Sequence, residues 1–170
     1  MENKALYILA GYDDKTEEHL AGIQNRLYDQ GFVGVHTKDL PQHITMGSFP
    51  VEMEEELKAK VKDTALSVQP IDVTFNHVGI FQGGKVLFIA PDQSREMLDL
   101  KEKFGSSYNW TAHTTMLIDE TEVLYKALPS VLDNFSAFEG KISYLHLYEF
   151  FPARHILTVK LGDDNDNKKI

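Results

Sequence analysis

Two short segments of the chain carry one pattern. Pro41-Gln42-His43-Ile44-Thr45-Met46 and Thr111-Ala112-His113-Thr114-Thr115-Met116 each hold a histidine, a threonine two residues on, and then a methionine. In an extended strand, residues i and i+2 face the same side. His43 and Thr45 therefore share a face, with Ile44 and Met46 opposite; His113 and Thr115 share a face, with Met116 and Ile118 opposite. Each strand would sink its apolar side into a core and present an imidazole beside a hydroxyl. Phosphodiester chemistry needs such a set: an attacking oxygen loses a proton, a leaving oxygen gains one, and histidine does either near neutral pH. Threonine hydroxyls donate hydrogen bonds to the non-bridging oxygens. The scheme requires no metal and no cofactor. A lone H-x-T says almost nothing, but two copies seventy residues apart, each with strand alternation, are much rarer. The competing readings are ordinary polar residues on half-exposed strands and a transition-metal site. Neither motif brings a carboxylate at ligand spacing, and the chain has no cysteine.

The elements that must position these residues can be read from periodicity. Ala5–Tyr12 reads as a strand and Lys15–Gln30 as a helix whose Leu20, Ile23, Leu27 and Tyr28 recur at helical spacing. Val33–His36 and Gln42–Phe49 read as extended, with Pro41 between them. Glu52–Ser67 is a helix with an acidic first turn. Ile71–Phe81 and Lys85–Ala90 form a hairpin through Gln82-Gly83-Gly84. Ser94–Lys103 and Glu122–Leu132 are helices, Thr111–Ile118 a strand, and Lys141–Phe151 with Ile156–Leu161 a closing strand pair. Each His-x-Thr-Met strand has a helix before it and a helix after it, which marks a faint internal repeat. These elements imply one domain over residues 1–162 and a polar, disordered tail over 163–170.

Composition narrows the partners. The 170 residues carry a net charge of −9, and Lys168-Lys169 is the nearest thing to a basic cluster. Long duplexes are gripped by broad basic surfaces, so a polyanion lying across a large surface is disfavoured and a small nucleotide or an RNA end stays open. No apolar run is long enough to span a membrane. The opening MENKALYILAGYDD lacks a small-residue cleavage site and runs at once into acidic residues, so it reads as a first strand and the protein as cytoplasmic. We expect a monomer.

With HITM at 43–46 and HTTM at 113–116, the chain resembles the two-histidine phosphoesterase superfamily, which includes 2′-5′ RNA ligases and cyclic nucleotide phosphodiesterases. The likeness covers most of the chain. It implies an α+β fold of two similar lobes with antiparallel sheets facing across a central cleft and helices outside. It also implies His43 and His113 as catalytic acid and base, and Thr45 and Thr115 as phosphate ligands. Ala112 stands where that family often has proline, and the absence of a basic face argues against ligating long RNA. Trp110 and Tyr148 are candidates to stack on a base, with core packing as the alternative for each; Tyr12 ends the first strand, and Arg154 lies in a turn, either as a plain solvated arginine or as a phosphate contact. His19, His36, His77, His146 and His155 read as background, with His36 and His77 at strand ends. The expected activity is a metal-independent phosphoesterase for 2′,3′-cyclic phosphates or 2′-5′ linkages. The alternatives are a nucleotide sensor or sequestering protein without turnover, or a phosphodiesterase for cyclic oligonucleotide messengers.

Overall fold

A computed structural model describes residues 3–35 and 38–162. The order is β1 (Ala5–Tyr12), α1 (Asp14–Asp29), β2 (His43–Phe49), α2 (Glu54–Ser67), β3 (Ile71–Phe81), β4 (Val86–Pro91), α3 (Arg95–Glu102), β5 (Thr114–Ile118), α4 (Thr121–Leu132), β6 (Phe138–Phe150) and β7 (Arg154–Lys160), with a single 3-10 turn at Val51–Met53. Side chains cap two of the helices: Asp13 accepts from the Thr16 amide at the start of α1, and Ser94 from the Met97 amide at the start of α3. Leu20, Ile23 and Leu27 form the buried stripe of α1.

All pairings are antiparallel, in the order β2-β1-β6-β3-β4-β5, with β7 also on β6. The two expected lobes are thus halves of one seven-stranded sheet. Strand β6 joins them. Its first part, Phe138–Ile142, pairs with β3; its later part lies between β1 and β7, and Ile142 opposes both Tyr12 and Ile71. Each half is a four-strand set with a motif strand outermost, in agreement with the internal repeat. The core runs continuously through both halves, from Leu6, Ile8 and Ile44 to Leu87, Ile89 and Met116.

Three expectations change. Val33–Val35 is not a strand, because Gly31 and Gly34 take positive φ (89° and 63°) and break the extended run. The segment still lies against β5, with the Val35 amide donating to the Ile118 carbonyl (3.0 Å). His36, the end of that expected strand, lies outside the described residues, as does the expected tail 163–170. Strand β5 begins at Thr114, so His113 is the last residue before the ladder rather than a member of it. β6 starts at Phe138, earlier than expected, because its first residues find a partner in β3. No helix among the described residues is long and apolar enough to cross a membrane.

Both motif strands carry a bulge at their methionine. Thr45 opposes Leu9 and Gly47 opposes Ile8, leaving Met46 as the extra residue; Thr115 opposes Phe88 and Leu117 opposes Leu87, leaving Met116. A bulge bends a strand and re-aims its side chains. Here it lets His-x-Thr face outward while the residues after methionine switch parity, so that Met116 and Leu117 are both fully buried.

Candidate active site

The motif strands are the two ends of the sheet path, yet they lie side by side. The Thr114 hydroxyl donates to the His43 carbonyl (3.0 Å). Its only hydrogen is thereby used, so the Tyr12 hydroxyl donates to Thr114 Oγ1 (2.6 Å). Both side chains are buried, and burial drives the Tyr12 hydroxyl far above its ordinary pKa. The Trp110 indole donates to the Thr45 carbonyl (3.2 Å), a second tie between the approach to one motif and the strand of the other.

Helix α1 supplies a third tie. Both Glu17 carboxylate oxygens accept from the Gln42 amide (3.0 Å each), the Gln42 side chain donates to Gln24 Oε1 (2.7 Å), and Gln24 Nε2 donates to the Met116 carbonyl (3.1 Å). One helix therefore holds the approach to the first motif and the bulge of the second. Desolvation raises the Glu17 pKa, and the Gln42 amide partly offsets it.

The two histidines are held alike. His43 Nδ1 lies 2.7 Å from the Pro41 carbonyl, and His113 Nδ1 lies 2.8 Å from the Thr111 carbonyl. A carbonyl only accepts, so each Nδ1 carries the hydrogen, and each Nε2 is the nitrogen left to gain or lose a proton. Burial lowers both pKa values, and the carbonyl bonds work against it; His113 lowers His43 further. The surroundings differ. His113 is met edge-on by Phe81 (4.8 Å between centroids, 87°) and Phe88 (5.4 Å, 60°). His43 stands opposite Gly11, which has no side chain.

His43, Thr45 and Thr115 line a cavity of about 590 Å³ whose lining also includes Tyr7, Phe150 and Lys38. The structure thus brings His43, Thr45 and Thr115 to one cavity; His113 does not line it, and its tie to the group is its electrostatic effect on His43. Trp110 packs on the core with its nitrogen bonded to Thr45 and the Lys101 ammonium 5.8 Å over its ring. Tyr148 lies on β6, stacked on Phe150 (5.7 Å, 8°) and edge-on to His155 (5.1 Å). Arg154 is engaged by Glu54 (2.6 Å) and Glu149 (3.2 Å). His19 lies tilted against Phe138 (4.0 Å between centroids, 37°), and His77 faces Asp92 (3.6 Å). Among the described residues, no three His, Cys, Asp or Glu side chains are grouped so as to hold a metal ion. Spacing alone missed Thr114, Gln42, Gln24 and Glu17. Their roles depend on partners up to a hundred residues away, and only the position of Gln42 directly before His43 hinted at one.

A family model described as the 2′-5′ RNA ligase superfamily matches residues 12–150. No curated protein matches the sequence. Among solved structures, apo E. coli LigT superposes with a TM-score of 0.60 at 13% identity, covering 95% of this chain and 99% of that one. TT0787 of Thermus thermophilus gives 0.61 at 13%, covering 94% and 99%. A structure titled phosphoesterase gives 0.59 at 14%, covering 94% and 99%. These likenesses show a shared fold, and the family match spans both motifs and the sheet between them: the chain belongs to the 2′-5′ RNA ligase superfamily.

Proposed function

We propose that the protein is a metal-independent phosphoesterase acting on a 2′,3′-cyclic phosphate or a 2′-5′ linkage of a small nucleotide or RNA end. The observation that carries this reading is the matched pair of imidazoles, each with Nδ1 locked on a backbone carbonyl and Nε2 left for proton transfer. In hydrolysis, the neutral histidine takes a proton from water as its oxygen bonds to phosphorus. The other, as imidazolium, gives its Nε2 proton to the ribose oxygen as the P–O bond breaks. The pair ends with its protonation states exchanged. Ligation reverses the step with a ribose hydroxyl in place of water. Thr45 and Thr115 hold the non-bridging oxygens.

A cavity of about 590 Å³ has room for a nucleotide, and LigT has been crystallised with 3′-AMP, with ATP and with NADP+. The test incubates wild type, His43→Ala, His113→Ala and the double variant with 2′,3′-cyclic nucleotides and 2′-5′ dinucleotides in EDTA. Turnover lost in each single variant, with the double no worse, is expected, because groups acting in one step are not additive. Activity that EDTA abolishes and zinc restores would refute the metal-independent scheme.

A further inference from the structure

His146 reads as background in the sequence, but the fold brings it to the motif face. Gly11 opposes His43 across β1 and β2, so a side chain at position 11 would point to the same face as His43. A Cβ built there would lie 2.3 Å from His146 Nε2 and 2.9 Å from its Cδ2. The imidazole therefore occupies the space that glycine leaves, with its Nε2 end over β1. Directly opposed Cβ positions are about 4.5–5.5 Å apart, so this nitrogen sits roughly one side chain away from the base of His43.

The other end of the ring is anchored. His146 Nδ1 is 2.8 Å from Thr158 Oγ1, and His155 Nε2 is 2.7 Å from the same oxygen. His146 is 9% exposed, and its Nε2 has no hydrogen-bond partner among the described residues. A buried nitrogen without a partner is uncommon and calls for an occupant. The Thr158 hydroxyl has one hydrogen, so the array has two arrangements. When His155 donates to Thr158, Thr158 donates to His146 Nδ1 and Nε2 carries a hydrogen; in the reverse arrangement Nε2 is an acceptor. An oxyanion beside His43 favours the first, because a donor faces it.

We infer that His146 is a third nitrogen of the site, a substrate-binding residue whose Nε2–H donates to an oxygen of the bound phosphate, with Thr158 and His155 setting it as the donor. This rests on the phosphoesterase reading for its substrate, but the oxyanion contact is measurable without turnover. The experiment is a titration of the full chain, with 15N-labelled histidine, against inorganic phosphate, run on wild type and Thr158→Val. Kinetics of His146→Phe and His146→Gln on a 2′,3′-cyclic nucleotide accompany it.

Phosphate should move the His146 Nε2 resonance toward the protonated-nitrogen position in wild type, and much less in Thr158→Val. His146→Phe should raise KM about tenfold, the equivalent of one hydrogen bond, with kcat little changed. His146→Gln, which keeps an N–H donor, should recover part of that. Phosphate that moves the His43 and His113 resonances but not His146, with KM unchanged in His146→Phe, would overturn the inference and leave the phosphoesterase reading standing. If the wild type turns over nothing yet phosphate moves His146, the oxyanion contact stands and the phosphoesterase reading falls.

Discussion

The Tyr12–Thr114–His43 chain is the shortest link between the two motifs, and its strength is open to measurement. Thr114→Val keeps the shape of the side chain but leaves the Tyr12 hydroxyl and the His43 carbonyl without this partner in a buried setting. Each orphaned group costs about 1–3 kcal/mol, so the variant should lose about 3 kcal/mol of stability. Tyr12→Phe removes one hydrogen bond and leaves Thr114 still bonded to His43, at about 1 kcal/mol. In the double variant the orphaned tyrosine hydroxyl is gone, and the loss should be about 2 kcal/mol, less than for Thr114→Val alone. For a chain of this size 1 kcal/mol moves Tm by about 2–4 °C. Urea unfolding of the four proteins measures the cycle, and calorimetry checks the shift. Losses that simply add, or a neutral Thr114→Val, would refute the reasoning that this pair ties the two motif strands together.

Other outcomes rest on the site's electrostatics and packing. Burial lowers both motif histidines below 6.5, so kcat/KM should peak on the acid side of that value and fall about tenfold per pH unit at higher pH; a plateau reaching pH 8 would contradict it. His146 is pushed down to about 4 from 6.5, chiefly by burial and then by His43 and His155. The unfolded chain then binds the proton more readily than the folded one, so this contribution is complete above 6.5 and is lost as pH falls toward 4. It should amount to about 3 kcal/mol and be absent in His146→Phe, as urea unfolding at pH 7 and pH 4 would show. Gly11→Ala should cost about 1–3 kcal/mol through overlap with the His146 ring, and far less in a His146→Ala background; equal losses in both would exclude the overlap as the cause.

The parts that were legible in the sequence are those fixed by local pattern. Alternation in HITM fits His43 and Thr45 on one face of β2, whereas His113 stands before β5, and helical spacing found the buried stripe of α1. Alternation carries less about the residues between and beyond them. Thr114, at the core-facing position, bonds Tyr12 and His43 rather than merely packing, and the bulge at each methionine has no local signal. The place of His146 depends on three strands at once: β6 bears it, β7 supplies Thr158, and β1 supplies the gap at Gly11. No window of sequence holds all three. Trp110 stands three residues before the second motif histidine and Tyr148 on the closing hairpin beside Phe150, and of the two Trp110 spends its one donor on Thr45.

The shared strand β6 bears on how the chain becomes a folded molecule. Although the two halves look separable, each lacks its β6 partner until that strand is made: β3 until synthesis passes Ile142, and β1 until it passes Phe150. Before that point, β1 exposes the edge that later meets Ile142–Phe150, and β3 exposes the edge that meets Phe138–Ile142. Unpaired edges of this kind attract other strands. A nascent or truncated chain ending near residue 135 is thus a sticky intermediate and not a half-sized protein. The last fifth of the sequence acts as a zipper that makes both halves native together.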